Sequence, residues 1–129
     1  MPVKYNYDSK AKTVHAYPYA ELSISEILGY FADLMQENDI AAQSIEVVHF
    51  DRVEKFLFSF EEAEEITTRL TQLRNENELL GTILVGKRDY HYGIARMMQT
   101  LIEINDPDYM TFVVRSDKEL QNAIHDISV

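Results

Sequence analysis

The sequence predicts an α/β domain in which a five-stranded, mostly parallel sheet carries four helices. Three observations lead there. Four segments repeat apolar residues at helical spacing, and three of them open on Ser-x-x-Glu. Short runs rich in valine, isoleucine and threonine separate them. Strands that alternate with helices pair in parallel through right-handed crossovers. At 129 residues the chain is sized for one domain, residues 1–129.

The first residues, "VKYNYD", alternate and form a hairpin with "TVHAYPYA" (Thr13 to Ala20) across Ser9, Lys10, Ala11 and Lys12. Tyr5, Tyr7, Tyr17 and Tyr19 then fall in cross-strand positions near an edge, and Pro18 suits an edge or a strand end. Only this first strand should run antiparallel. Ser23 to about Glu37 is the first helix, with Ile24, Ile27, Leu28, Phe31, Leu34 and Met35 on one face and a Ser23–Glu26 capping box. "SIEVVHF" (Ser44 to Phe50) is a strand, followed by a loop from Asp51 to Phe58. Ser59 to about Arg74 is the second helix, capped by Ser59 and Glu62, with Ala63, Ile66, Leu70 and Leu73 inward; its "EEAEEI" run is a solvated face. "TILVG" (Thr82 to Gly86) is apolar enough for a strand covered on both faces. The third helix, about Tyr92 to Ile104, turns Ile94, Met97, Met98, Leu101 and Ile102 inward and stops at Asn105-Asp106-Pro107. "MTFVVR" (Met110 to Arg115) is the last strand. The fourth helix runs from Ser116 to about Ile127, capped by Ser116 and Glu119, with Leu120, Ala123, Ile124 and Ile127 inward.

Composition narrows function. Hydrophobic residues are 46% and charged residues 26% of the chain, an ordinary globular balance. A net charge of −10 disfavours nucleic acid, which is gripped through clustered Lys and Arg. No apolar run approaches the roughly 18 residues that span a bilayer, and the amino terminus lacks the apolar stretch of a signal peptide. Without cysteine there is no disulfide, thiol nucleophile or thiolate metal site. A cytoplasmic protein is expected. His15, His49, His91 and His125 show no metal-ligand spacing, so neither a metal nor a cofactor is expected. No Gly-rich phosphate loop and no nucleophile elbow is present. A general base at His49, beside Asp51, or at His91 is the weakest functional reading; a strand histidine near an acid more often fills a structural place.

Loops from parallel strands into helices share one edge of the sheet, where open α/β folds bind ligands. Two features fall on it. "RDYHYGIARMMQTL" starts its helix unlike the other three. Arg96 lies near the positive helix end, Gly93 leaves the backbone open, and Lys87, Arg88 and His91 gather nearby, which suits an anion. The alternative is structural: Asp89 caps the helix, Arg96 pairs with an acid such as Asp51, Tyr90 and Tyr92 cover the core edge, and His91 is exposed. "EKFLFSF" places Phe56, Leu57, Phe58 and Phe60 in the loop before the second helix, more apolar surface than a solvated loop carries. They pack under the sheet edge, line an apolar pocket, or form a dimer patch.

The element order and the stretches "IEVVHFDRV", "YGIARMMQTL" and "FVVRSDKELQNAI" together resemble the STAS superfamily, and within it the SpoIIAA-like branch of small bacterial proteins, from about Thr13 to Ile127. "IEVVHFDRV" leading to "FLFSFEEAEEI" stands where that family has an aspartate-containing strand end before its second helix. "YGIARMMQTL" is similar to the family's Tyr/Phe-Gly-x-Ala-Arg-Met run. "FVVRSDKELQNAI" is similar to its closing Phe-Arg-x-x-x-x-Ala segment. The resemblance implies a five-stranded STAS-like fold, no catalysis, and a regulatory or interaction role. Typical members carry Asp-Ser-Ser/Thr-Gly at the second helix start, with the hydroxyl phosphorylated by a partner kinase. Here Phe58-Ser59-Phe60-Glu61 stands in that place, without the serine–glycine pair, so Ser59 is the position to which phosphorylation would carry over and also an N-cap. The branch is similar in fold to lipid-carrying domains, which implies a second function: carrying or sensing a small amphipathic anion. Its expected site is Arg96, Gly93, Tyr92, Tyr90, His91, Arg88, Phe56 and Phe58. The expected partners are a protein, a second copy of the chain, or such an anion.

Overall fold

The computed structural model describes residues 3–37, 43–77 and 79–128, and only the backbone of 73–77. Leu73, expected on the buried stripe of the second helix, therefore lies outside the described side chains. Strands β1 (Val3–Asp8) and β2 (Thr13–Ser23) form the antiparallel hairpin. Its turn is held by the Asp8 carboxylate, which accepts from the backbone N–H groups of Lys10 and Ala11 at 3.1 and 3.2 Å. Helix α1 (Ile24–Gln36), strand β3 (Ile45–His49), strand β4 (Arg52–Leu57), helix α2 (Phe60–Asn77), strand β5 (Gly81–Val85), helix α3 (Asp89–Asn105), strand β6 (Met110–Val114) and helix α4 (Asp117–Ser128) follow.

The sheet runs β1-β2-β3-β5-β6, and every pairing except β1–β2 is parallel. It holds six strands rather than five. The expected loop from Asp51 to Phe58 contains β4, which pairs in parallel with the far half of β2, Tyr19 to Ser23. That pairing also carries β2 past its expected end at Ala20. At Ala20 the register shifts and φ is 57°, so β2 bends and serves β1 and β3 with its first half and β4 with its second. The alternation of Val53 (buried) and its exposed neighbours Arg52 and Glu54 is too short a signal to separate an edge strand from a loop.

Helices α1, α2 and α3 cover one face. Their Tyr30, Phe31, Leu34, Ala63, Ile66, Leu70, Ala95, Met98, Leu101 and Ile102 close over Val14, Ala16 and Leu84. Helix α4 covers the other, setting Leu120, Ala123 and Ile127 on Ile45, Val47, Ile83, Val85 and Val114. Met35, expected inward, is 42% exposed, whereas Tyr30 takes a buried place on α1.

Three helix starts use their serine boxes. Glu26 Oε1 accepts from Ser23 N–H at 2.8 Å. Ser59 Oγ accepts from Glu62 N–H at 3.1 Å while Glu62 Oε1 accepts from Ser59 N–H at 2.9 Å. Ser116 Oγ accepts from Glu119 N–H at 3.2 Å, and Glu119 reaches back one residue further, to Arg115 N–H. Helix α3 begins at Asp89, not at Tyr92, with Arg88 as its N-cap residue and no side-chain cap. Asp89 is therefore not the cap; it occupies the first turn, where an acid suits the helix dipole, and it pairs with Arg115 at 2.7 Å.

Candidate functional site

At the carboxyl end of the sheet, β4 meets the first turn of α3. Phe56 is the hub: its ring lies 5.2 Å from Phe50, 5.8 Å from Phe58, 5.5 Å from Tyr90 and 6.2 Å from His91, centre to centre. The Phe56 N–H donates to the Tyr90 hydroxyl at 3.2 Å, tying the edge strand to the helix. His91 is buried, against the expectation of an exposed ring. Its Nε2–H donates to the Val53 carbonyl at 2.7 Å. That fixes the proton on Nε2 and leaves Nδ1 a buried lone pair with no hydrogen-bond partner among the described residues.

The close approach of α3 to the sheet is made by Gly86. A Cβ there would stand 2.8 Å from His91 C and 2.9 Å from Tyr92 N. At Gly93 a Cβ would meet nothing within 4 Å. The glycine that lets backbones approach is thus in the strand–helix loop, not in the helix.

Beside this junction a cleft of about 570 Å³ is bordered by Asp51, Arg52, Glu54, Arg88, Tyr90 and His91. Arg88, Tyr90, His91, Phe56 and Phe58 are thus brought to one corner. Gly93 and Arg96 are exposed on α3, and Tyr92 lies under the guanidinium of Arg115 at 4.5 Å. Arg96 forms no ion pair among the described residues, with Asp51 or any other acid; Asp51 Oδ1 instead accepts from Lys87 N–H at a long 3.4 Å. Lys87 pairs with Asp117 at 3.2 Å. The basic cluster read from sequence is therefore spread over separate partners. Leu57, Phe60 and Tyr90 are 42%, 55% and 49% exposed at the same edge. Ser59 spends its hydroxyl as the α2 cap.

Two polar groups that no spacing rule revealed are on the strands. Glu46 is 1% exposed on β3 and accepts from Tyr30 Oη at 2.6 Å and Thr82 Oγ1 at 3.0 Å; Tyr109 Oη joins Thr82 at 2.8 Å. Burial pushes the Glu46 carboxyl above its ordinary value, against the pull of both hydroxyls, and pushes the Tyr30 phenol well up. Glu46, Tyr30 and Thr82 lie at the wall of a cavity of about 60 Å³, otherwise bounded by apolar side chains including Phe31, Phe56, Phe58 and Met98. A polar residue in an apolar strand reads from sequence as an exposed position; only the facing Tyr30 and Thr82 make it a buried one. The second group is an imidazole pair. His15 Nδ1 and His49 Nε2 stand 3.1 Å apart, and the Tyr17 ring stacks on His49 at 4.6 Å. His49 is lowered to about 4, first by burial and then by His15; His15 is lowered by burial. His49 thus bonds a histidine, not Asp51. Among the described residues no three His, Cys, Asp or Glu side chains converge as a metal cluster, and no helix is long and apolar enough to cross a membrane.

No family model matches the chain, and no curated protein matches it. Solved structures do. The anti-sigma factor antagonist SpoIIAA in its unphosphorylated form superposes with a TM-score of 0.57 at 10% identity, covering 95% of this chain and 97% of that one. An uncharacterized DUF3478-family protein with a SpoIIAA-like fold from Shewanella loihica PV-4 superposes with a TM-score of 0.60 at 7% identity, covering 95% and 91%. The chain has the SpoIIAA-like α/β fold, with four helices on a mixed, mostly parallel sheet.

Proposed function

We propose that this protein is a non-enzymatic, cytoplasmic regulatory or interaction module that binds a protein through the carboxyl-terminal edge of its sheet. The observation that supports this most is the exposure of Leu57, Phe60 and Tyr90 at that edge, beside half-buried Phe56 and Phe58. Large apolar side chains gathered at one place and rimmed by charge, here Arg52, Glu54, Lys55, Glu61 and Arg88, mark interaction sites rather than scattered surface hydrophobes. The name of one protein of this fold, an anti-sigma factor antagonist, describes action on another protein, and the reading carries that class of role to this chain. Recovering bound proteins with the wild type, Phe60→Asp and Ile104→Asp tests it. Ile104 is 71% exposed at the far end of α3 and serves as the control. A protein held by the wild type and Ile104→Asp but lost with Phe60→Asp is the expected result; equal recovery by all three overturns it.

A second reading, a carrier or sensor of a small amphipathic anion, is favoured by the cavity under Phe56 and Phe58 and by the side-chain-free start of α3. Its polar contacts would be the Arg88 guanidinium and the Tyr90 hydroxyl, since His91 gives its N–H to Val53 and has only a lone pair left; Gly93, Tyr92 and Arg96 stand outside that corner. Native mass spectrometry with a short-chain fatty acid tests it: a bound mass lost in Arg88→Ala supports the reading, and a bare mass overturns it.

A further inference from the structure

His15 and His49 sit on adjacent parallel strands, β2 and β3, while α4 packs on β5 and β6. Neither ring belongs to the apolar core on either face. Both are half-buried, so solvent reaches the pair.

We infer that the His15–His49 pair is a binding site for a divalent late transition-metal ion of the zinc and copper class, held by His15 Nδ1 and His49 Nε2 with water or an added ligand in the other positions. The span fits. Two imidazole nitrogens at about 2.0–2.1 Å from one ion stand about 2.9 Å apart at a right angle and about 3.4 Å apart at the tetrahedral angle. The observed 3.1 Å lies between them. The proton count also fits. Each ring can carry its single proton on the outer nitrogen, His15 Nε2 and His49 Nδ1, and turn a lone pair inward, so the ion replaces one N–H···N bond without net release of a proton. Burial lowers both rings, which keeps them neutral at pH 7. Tyr17, stacked on His49 with the planes 8° apart, holds that ring in place. Asp8 acts on His15, and Asp51, Asp117 and Lys87 act on His49; the three carboxylates attract a cation and the one ammonium opposes it. No third side chain joins the pair among the described residues, so the site is open, as sites that accept an exchangeable ligand are.

Sequence spacing could not show this. The two histidines are 34 residues apart and meet only because β2 and β3 pair in parallel: His15 stands opposite Val47, and His49 follows two residues along β3, on the same face of the sheet.

The test uses the full chain and Cu²⁺ alone. In the wild type, substoichiometric Cu²⁺ should broaden the ring resonances of His15, His49 and Tyr17 before those of His91 and His125. Electron paramagnetic resonance at one equivalent should show two nitrogen ligands. His15→Gln and His49→Gln should each weaken binding by about tenfold or more, a loss of the size that even an outer-sphere partner brings, while His125→Gln leaves it unchanged. Broadening centred on His125 or on the acidic surface, or affinity unchanged in both pair variants, overturns the inference. The broadening pattern decides the matter without any variant, so a poorly folded substitution does not shield it.

Discussion

Replacing Gly86 and Gly93 separately by alanine should move stability in opposite directions. At Gly86 the new methyl would lie 2.8 Å from His91 C, 2.9 Å from Tyr92 N and 3.0 Å from His91 O. All three are backbone atoms of the first turn of α3, so no side chain can swing aside. Either α3 shifts or the strand end does, and the His91–Val53 and Tyr90–Phe56 hydrogen bonds loosen with it. Overpacking of this kind costs about 1–3 kcal/mol. At Gly93 nothing lies within 4 Å, and the residue is inside a helix. Alanine there gains about 0.5–1 kcal/mol from helix propensity and a less flexible unfolded chain. For a domain of this length about 1 kcal/mol corresponds to roughly 4 °C in Tm. Thermal denaturation followed by circular dichroism should then show Gly86→Ala melting roughly 4–12 °C lower and Gly93→Ala roughly 2–4 °C higher. A neutral Gly86→Ala, or a Gly93→Ala that melts lower by a similar margin, would refute the assignment of the close approach to Gly86.

Other outcomes follow from single side chains. Burial raises the Glu46 carboxyl, so the folded chain keeps a proton that the unfolded chain gives up. The stability this lends is complete below the ordinary value of 4.5 and is lost as pH rises through the folded value. The urea midpoint of the wild type should therefore fall more as pH rises above 4.5 than that of Glu46→Gln, whose amide does not titrate. Ser59→Ala removes the acceptor for Glu62 N–H and should cost about 1 kcal/mol in urea denaturation. Arg96→Ala should leave stability within about 0.5 kcal/mol, since its guanidinium is exposed and unpaired among the described residues.

The helices and most of the sheet were legible because their signals are local. Ser23, Ser59 and Ser116 mark helix starts by chemistry that acts within one turn. Ile83, Leu84 and Val85 mark a strand buried on both faces by their unbroken run. What was not legible depends on pairs distant in sequence. Strand β4 exists because β2 bends at Ala20 and offers it an edge, a fact about residues some thirty positions away. Asp89 is not the cap because α3 already begins there, with Arg88 at the N-cap position, and its carboxylate pairs with Arg115 just past the end of β6. Gly93 is the glycine at the helix start, yet Gly86 makes the contact, and only the packing of α3 on the strand end distinguishes them. Of the corner residues, Phe56, Phe58, Tyr90, His91 and Arg88 do gather, since all lie at the carboxyl edge that parallel topology imposes. Arg96 does not, because it lies outside the first turn of α3 on an exposed position, whereas Ala95 and Met98 face the core.

The most direct measurement is photocrosslinking in the producing cell, with benzoylphenylalanine placed at position 60 in one strain and at position 104 in another. Phe60 and Ile104 are both exposed, on different helices, so general stickiness marks both alike. An interaction surface at the carboxyl edge predicts a discrete protein adduct from position 60 and none from position 104. Adducts from 104 alone, or equal and diffuse labelling from both, would contradict it.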